Sequence, residues 1–287
     1  MISELSGQGH LLKDLLAAAG IATSTYYYNR NRPPKAPTRP KLWGKVAEIF
    51  SRTPNGCGHR QIAMCLRAED GEVIANKTVL KIMHEMGIRC GIRRESDYHR
   101  YNSYKGVVGK TFENVLGRDF DADGPWEKMG TDVTEFKQKW GKAYLAPVYD
   151  FGSKEVHAWS ISMHPDMAQQ REMLDMLFAK MPEGKSPIMG SDMGWQYQHD
   201  GYCKRLKEAG ITQSMSRKGN CLDNACTEGL FGHIKDEFFR GQEWPDFESF
   251  KSDLDEYLVH WNTRRRQVKL KGLTPEEFGN QALTGVA

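Results

Sequence analysis

No apolar run in the 287 residues approaches the ~18 that a membrane-spanning helix requires. That removes an integral helical membrane protein from consideration. The opening residues, MISELSGQGHLLKDLL, lack the basic start and long apolar core of a secretory signal. Cysteine is sparse, at Cys57, Cys65, Cys90, Cys203, Cys221 and Cys226, and no CxxC or HxxxH pair occurs. Neither a disulfide scaffold nor a zinc cluster is expected, and the thiols read as reduced in a cytoplasmic setting. No heptad repeat is sustained, which argues against a coiled coil. An overall excess of one charge is lacking too, since the net charge is only +3. What remains, 39% hydrophobic and 27% charged residues, is the composition of a globular chain of one large domain with an attachment, or of two to three small ones.

The small net charge hides an uneven spread. Residues 1–110 carry 18 Lys and Arg against 9 Asp and Glu, and the remainder 22 against 28. A basic front suits a polyanionic partner and an acidic rear suits a gathering of carboxylates. The alternative is an asymmetry without function. In the front, residues 1–30 form a helical segment. HLLKDLLAAAGIATSTYYY (10–28) reads as a helix with Leu11, Leu12, Leu15, Leu16 and Ala19 on its stripe, a turn at Gly20 and a second helix. Residues 31–41 read as a basic linker, because four of the twelve prolines fall at 29–40 without apolar periodicity. Residues 42–100 hold three expected helices, at about 42–51, 58–68 and 76–86. The last has Val79, Leu80, Met83 and Met86 on one face, with Gly87 as its stop. Lys77, Lys81, Arg93 and Arg94 lie off that face or beyond it. The unit is compatible with a helix-turn-helix whose second helix enters a DNA groove, and a plain packing role is the alternative.

From Trp126 the period changes to two. EKMGTDVTEF, KAYLAPVYDF and EVHAWSIS read as three strands of an antiparallel meander joined by short turns. A helix follows, with Asp166 and Gln169 as a capping box and Leu174, Leu177, Phe178 and Met181 as its stripe. SPIMGSD is a short strand ending at Asp192. A helix near 200–209, a strand near 211–215 and a last helix beginning near Glu228 complete a mixed α/β layer fold over residues 118–240. Residues 241–287 hold a helix with Phe247, Phe250, Leu254, Tyr257, Leu258 and Trp261 on one face, then Arg264, Arg265 and Arg266, for which DNA contact is weighed against a role in solubility.

Three carboxylates stand out: Asp132 in the first strand, Asp192 after the fourth, and Glu228 in the first turn of the last helix. Crowding them is costly without a cation, and hard divalent ions take oxygen ligands of this kind. Their spacing alone leaves open that Asp192 only shapes a turn and that Glu228 only favours a helix N-terminus.

The segments GTDVTEF, YLAPVYDFGSKEVHAWSIS, GSDMGWQYQHDGY and SMSRKGNCLDNACTEGLFGHIK closely resemble OrfB-type transposases of the insertion-sequence-three and one-fifty family. The likeness runs over nearly the whole chain, to WNTRRRQVKLKGLTPEEF. It implies an RNase H-like α/β catalytic core, that of the integrases, preceded by an all-α helix-turn-helix region. It also implies a D,D(35)E triad of Asp132, Asp192 and Glu228, with two Mg²⁺ or Mn²⁺ ions when DNA is bound. The implied partners are double-stranded DNA at the element's ends and at a target, an upstream OrfA segment, and further copies of the chain, in a bacterial cytoplasm and without a membrane. Lys235, seven residues after Glu228, stands where the family favours a basic residue that holds a phosphate, and Arg217 and Lys218 are expected along the DNA backbone. Gly190 departs from the family's frequent His, and Cys226, Thr227 and Gly229 from its usual Pro, Met and Ser. A catalytically silent regulator of transposition and an RNase H-like nuclease are the rival functions.

Overall fold

The computed structural model describes residues 1–31, 36–92, 111–217 and 221–285. Residues 1–40 and 41–287 form separate compact units. In the first unit, α1 (Ile2–Gly7), a helix outside the expected elements, is followed by α2 (Leu12–Ala18) and α3 (Thr23–Asn31). Gly20, at φ +65°, turns the chain as expected, and the Ile21 N–H closes back on the Leu16 carbonyl. Leu16 is buried, but Leu11 is exposed and leaves the expected stripe.

The second unit opens with α4 (Trp43–Phe50), α5 (His59–Asp70) and α6 (Asn76–Glu85) around Val46, Ile49, Ile62, Leu66, Val79, Ile82 and Met83. The buried face of α6 is Val79, Ile82 and Met83, so Ile82 takes the place expected of Leu80, which is only half-buried. Gly87 ends the helix at φ +70°, with the Ile88 N–H on the Met83 carbonyl.

The sheet contains β1 (Lys128–Thr131), β2 (Thr134–Gln138), β3 (Gly141–Asp150), β4 (Val156–Ser162), β5 (Ile188–Ser191) and β6 (Thr212–Met215). The single first strand expected over 127–136 is two strands on one edge of β3. Thr131 faces Val148, Thr134 faces Leu145, and the same register puts Asp132 opposite Pro147. Proline has no N–H to give a ladder, and the pairing lapses there. β4 pairs with the other edge of β3, and β1, β5 and β6 run parallel in that order. The antiparallel meander and parallel extension agree with the expected mixed sheet.

Helices cover both faces. α7 (Met167–Lys180), α8 (Trp195–Gln198) and α9 (Asp200–Glu208) close a core of Met129, Val148, Met173, Leu174, Leu177, Tyr197, Tyr202 and Leu206. The capping box expected at α7 is only half present. Asp166 accepts the Ala168 and Gln169 N–H groups, but the Gln169 amide instead donates to the carbonyls of Tyr144 and Ser160, stitching helix to sheet. On the opposite face lie α10 (Ala225–Ile234), its continuation as a π-turn (Lys235–Phe239), and α11 (Phe247–Thr263), whose Phe250, Leu254, Tyr257, Leu258 and Trp261 enter a core with Phe136, Leu145 and Ile234. α12 (Pro275–Thr284) follows, with a complete capping box of Thr274 and Glu277.

Asn55, between α4 and α5, joins the front helices to this layer. Its amide donates to the carbonyls of Asp236 and Arg240, both at 2.9 Å, and its backbone N–H to that of Glu237. These are orphan carbonyls at a helix end, and a side chain from the front helices satisfies them.

Candidate active site

β1 and β5 pair in parallel with Gly130 beside Gly190. Continued two residues, the same register places Asp132 beside Asp192, so two carboxylates leave the C-terminal edge of neighbouring strands at one level. Ligands of open α/β sheets gather at this edge. The Val133 N–H, which strand alternation turns away from β3, donates to Asp132 Oδ1 at 2.7 Å. Asp192 Oδ1 accepts the Gly194 N–H at 2.8 Å, so part of the turn-shaping role weighed for it is present.

Glu228 arrives on the first turn of α10, and Gly130 brings that turn close. A Cβ on Gly130 would fall on the Thr227 hydroxyl and 2.6 Å from the Phe151 ring. Thr227 immediately precedes Glu228, so the missing side chain sets how near the third carboxylate comes to the first. Gly130→Ala is expected to push α10 off β1, costing about 1–3 kcal/mol of stability, as over-packing does. Denaturant unfolding measures this; an alanine variant as stable as the parent would show that α10 does not lean on the strand. Gly190 is closed in a similar way, since a Cβ there would stand 2.5 Å from Leu116 Cδ1.

Asn224 is a site residue that the sequence concealed. It precedes α10 but makes no side-chain capping bond; its amide donates to Asp132 Oδ2 at 2.8 Å. Asp132 thus has both oxygens oriented, one by its own strand and one by the loop that leads to Glu228. The available signal was a polar residue four places before Glu228, which does not distinguish a cap from a reach across the sheet edge.

Asp132, Asp192 and Glu228 are each half-buried. Burial, then the charges of Asp192 and Glu228, push Asp132 up to about 7, against the two hydrogen bonds it accepts. Burial also raises Asp192 and Glu228. Among the described residues none of the three makes an ion pair, and no three such groups stand close enough together to hold one ion. Lys235 is a half-buried cation near this edge. Burial lowers its pKa, Asp132 and Glu135 oppose the shift, and its Nζ lies 5.9 Å from the centre of the Phe136 ring. It is not a solvated decoration of the helix.

The other expected DNA contacts divide. Lys77 and Lys81 are exposed on α6, Lys81 within 3.7 Å of Glu85, and Arg264 is exposed at the end of α11. Lys218, Arg93 and Arg94 lie outside the described residues. Arg217 is exposed, but its guanidinium is bonded twice to Asp223 at 3.0 Å, and Arg118 reaches the same carboxylate at 2.8 Å. Those arginines hold the Asp223 carboxyl well below the usual range. Arg265 and Arg266 are corrections. Arg265 is buried and donates to both oxygens of Glu237, at 2.8 and 2.6 Å, while Arg266 pairs with Glu277 at 2.8 and 2.9 Å. A run of three arginines resembled a polyanion clamp, but two of them close helix packing instead.

The Integrase core domain family matches residues 122–221, a second Integrase core domain family matches 228–283, and the HTH-like domain family matches 41–96. The InsK transposase of insertion sequence element IS150 from Escherichia coli is 42% identical over 274 residues, spanning 96% of this chain and 95% of that protein. Transposase InsF for insertion sequence IS3A, also from Escherichia coli, is 30% identical over 277 residues, 95% of each chain. A chain of the simian T-cell lymphotropic virus intasome in complex with PP2A regulatory subunit B56 gamma superimposes with TM-score 0.50 at 16% identity, over 82% of this chain and 72% of that one. At that identity the likeness is one of fold.

Proposed function

The chain belongs to the family of insertion-sequence transposases with an integrase core, and on that premise we propose that it cleaves one DNA strand at an element's end and joins the freed 3′-hydroxyl to a target phosphodiester. The observation that carries this is the pair Asp132 and Asp192, level with each other on adjacent parallel strands, with Glu228 pressed toward them by the Gly130 contact.

The donors suit a divalent ion. They are carboxylate oxygens alone, none in an ion pair among the described residues, and the charges of Asp192 and Glu228 add to burial in raising the proton affinity of Asp132. Mg²⁺ or Mn²⁺, bound as two ions, supplies Lewis-acid stabilisation of the attacking and leaving oxygens. Asp132 and Asp192 would hold both ions, and Glu228 one of them. Asn224 keeps Asp132 turned toward the site, and Lys235 neutralises a phosphate of the bound strand. Double-stranded DNA lies along the exposed Lys77 and Lys81 of residues 42–100 and meets Arg264 beyond α11. A catalytic core over 118–240, a tail over 241–287, copies of the chain acting together, an OrfA segment and a cytoplasmic site of action complete the proposal.

Cleavage of a labelled duplex carrying the element's ends, with and without Mg²⁺, tests it. Absence of cleavage at any Mg²⁺ concentration would favour the regulator, and equal cleavage of an RNA–DNA hybrid the nuclease. The electrostatics add a pH dependence. Below about 7 Asp132 holds its proton, so Mg²⁺ binding has to displace it, and affinity is expected to fall up to about tenfold per pH unit there and to level off above. A raised carboxyl pKa means that the folded state binds more protons, so the metal-free chain loses stability as pH rises from about 4 to about 7. Calorimetric Mg²⁺ titration at pH 6 and pH 8, beside melting in the ion's absence, checks both; an affinity equal at the two pH values would contradict the assignment.

A further inference from the structure

The turn between α4 and α5 holds one side chain still. Thr53, Pro54, Asn55 and Gly56 close it, with the Gly56 N–H on the Thr53 carbonyl at 3.0 Å, proline second and glycine fourth. Gly56 stands at φ +67°, and a Cβ there would fall 2.3 Å from the Phe50 ring, so the turn is seated against the end of α4. Asn55 is engaged on every side. Its carbonyl accepts the Gly91 N–H at 2.9 Å, from the segment that leaves α6. Its Oδ1 accepts the Gln242 amide at 3.3 Å, and the Gln242 carbonyl accepts the Gln138 amide of β2 at 3.2 Å. With the oxygen so occupied, the amide nitrogen faces the carbonyls of Asp236 and Arg240.

Those bonds bear on the register of the helix beyond α10. In α geometry the Arg240 N–H would close on the Asp236 carbonyl, four residues back. It closes on the Lys235 carbonyl instead, at 2.8 Å, which makes the π-turn and leaves the Asp236 carbonyl without its helical donor. Asn55 Nδ2 stands in that donor's place at 2.9 Å. From this exchange we infer that Asn55 is a positioning residue of the active site: it selects the π register of the helix that carries Glu228 and leads to Lys235, so that the site is in working order only while the front helices are seated. The inference rests on the proposed strand-cleaving site. Past the exchange the chain is anchored, with Glu237 held by Arg265 and Tyr257, and Phe238 buried. One residue of register is about 100° of rotation at 3.6 residues per turn. With the far side fixed, a return to α geometry falls on the near side, where Lys235 lies 5.9 Å from the centre of the Phe136 ring and Glu228 stands in the first turn of α10.

The experiment compares the full parent chain with Asn55→Asp, Asn55→Ala and Arg52→Met. Aspartate keeps the size and the acceptor for Gln242 and loses the donor alone. Arg52→Met removes the front's own ion pairs with Glu48 and Glu69 and leaves the bonds of Asn55 in place. One readout is turnover and KM on a duplex carrying the element's ends, beside gel shift and melting. The other needs neither metal nor DNA: the rate at which an amine reagent modifies Lys235, relative to the exposed Lys207, followed by mass spectrometry. In both Asn55 variants turnover at saturating duplex is expected to fall about 100-fold, as a misplacement of about 1 Å can cost. KM and duplex binding stay within a few fold, and Lys235 reacts faster than in the parent. Arg52→Met stays parent-like in both readouts, whatever its melting temperature. Parent-like turnover or parent-like Lys235 labelling in Asn55→Asp overturns the inference and leaves the proposed site standing. Equal changes in Arg52→Met, or an Asn55→Asp chain that does not fold, make Asn55 a packing residue and overturn it too. A parent chain that cleaves no duplex overturns the proposed function and the positioning role together.

Discussion

Asp192→Asn is expected to abolish strand cleavage, to leave duplex binding within a few fold, and to raise the melting temperature of the metal-free chain. Each part has its own cause. Ion-held charge stabilises a phosphodiester transition state by several kcal/mol, and at 1.36 kcal/mol per tenfold the loss is about a thousandfold or more. Binding persists because the exposed lysines of α6 are untouched. Stability rises because burial and the Asp192 charge are what push Asp132 up to about 7, and the amide removes that charge. The turn survives, since an asparagine oxygen accepts the Gly194 N–H as the carboxylate does. Asp132→Asn is a less clean variant. Both Asp132 oxygens accept N–H groups, from Val133 and Asn224, and an amide nitrogen at either place would face a donor. Cleavage assays, gel-shift titration and metal-free melting of Asp192→Asn decide the matter, and cleavage at the parent rate would end the role given to this carboxylate.

Much of this architecture was legible because it is periodic. The two-residue alternation from Trp126 and the 3.6-residue stripes of α6, α7 and α11 are local properties, and the elements appear where those patterns lie. What escaped depends on partners distant in sequence. The split of the first strand follows from Pro147 standing opposite Asp132, which only the pairing register reveals. Gln169 has the spacing of a capping box but answers to two sheet carbonyls. The carboxylate triad was drawn from a family likeness, because spacing alone could not separate a ligand from a turn residue. The equal register of Asp132 and Asp192 supplies a physical reason for the first two members. Asn224 carries no motif of its own; its significance lies in the charge it meets across the edge of the sheet.

The front helices and the candidate site share one piece of helix. α10 carries Glu228 and leads to Lys235, and its π-turn ends on carbonyls that Asn55 satisfies from the loop between α4 and α5. A π-turn is a local departure from α-helical geometry that is frequent at functional sites. Here it turns Glu237 inward to Arg265 while Lys235 stays half-exposed beside Phe136. The helix is therefore fixed at its start by the Gly130 contact, at its end by Asn55, and in between by one buried ion pair.

That ion pair sets the second large expected effect. Arg265→Ala should destabilise the chain by about 3–5 kcal/mol, the range for removing one partner of a buried salt bridge. Glu237 and Arg265 are 4% and 9% exposed, and Glu237 also accepts the Tyr257 hydroxyl at 3.0 Å. Burial raises the Glu237 carboxyl, but Arg265 outweighs it and holds the group at about 2. A depressed carboxyl contributes stability above its unfolded value, lost as pH falls from about 4.5 to about 2, so the parent should lose stability through that window and the Arg265→Ala variant should lose less. At about 2–4 °C per kcal/mol for a chain of this size, the melting temperature at pH 7 should drop by roughly 6–20 °C. Pairing Arg265→Met with Glu237→Gln should recover much of that, because exchanging a whole buried pair for groups of similar volume leaves no charge unpaired. Arg264→Ala, one residue earlier and exposed, should stay within about 0.5 kcal/mol. Melting and gel shift on the three variants separate the two roles weighed for this arginine run. Arg265→Ala with unchanged melting and weakened DNA binding would return Arg265 to the polyanion clamp; a large loss of melting temperature, relieved in the double variant, makes it the bolt that holds α10 and its π-turn against α11.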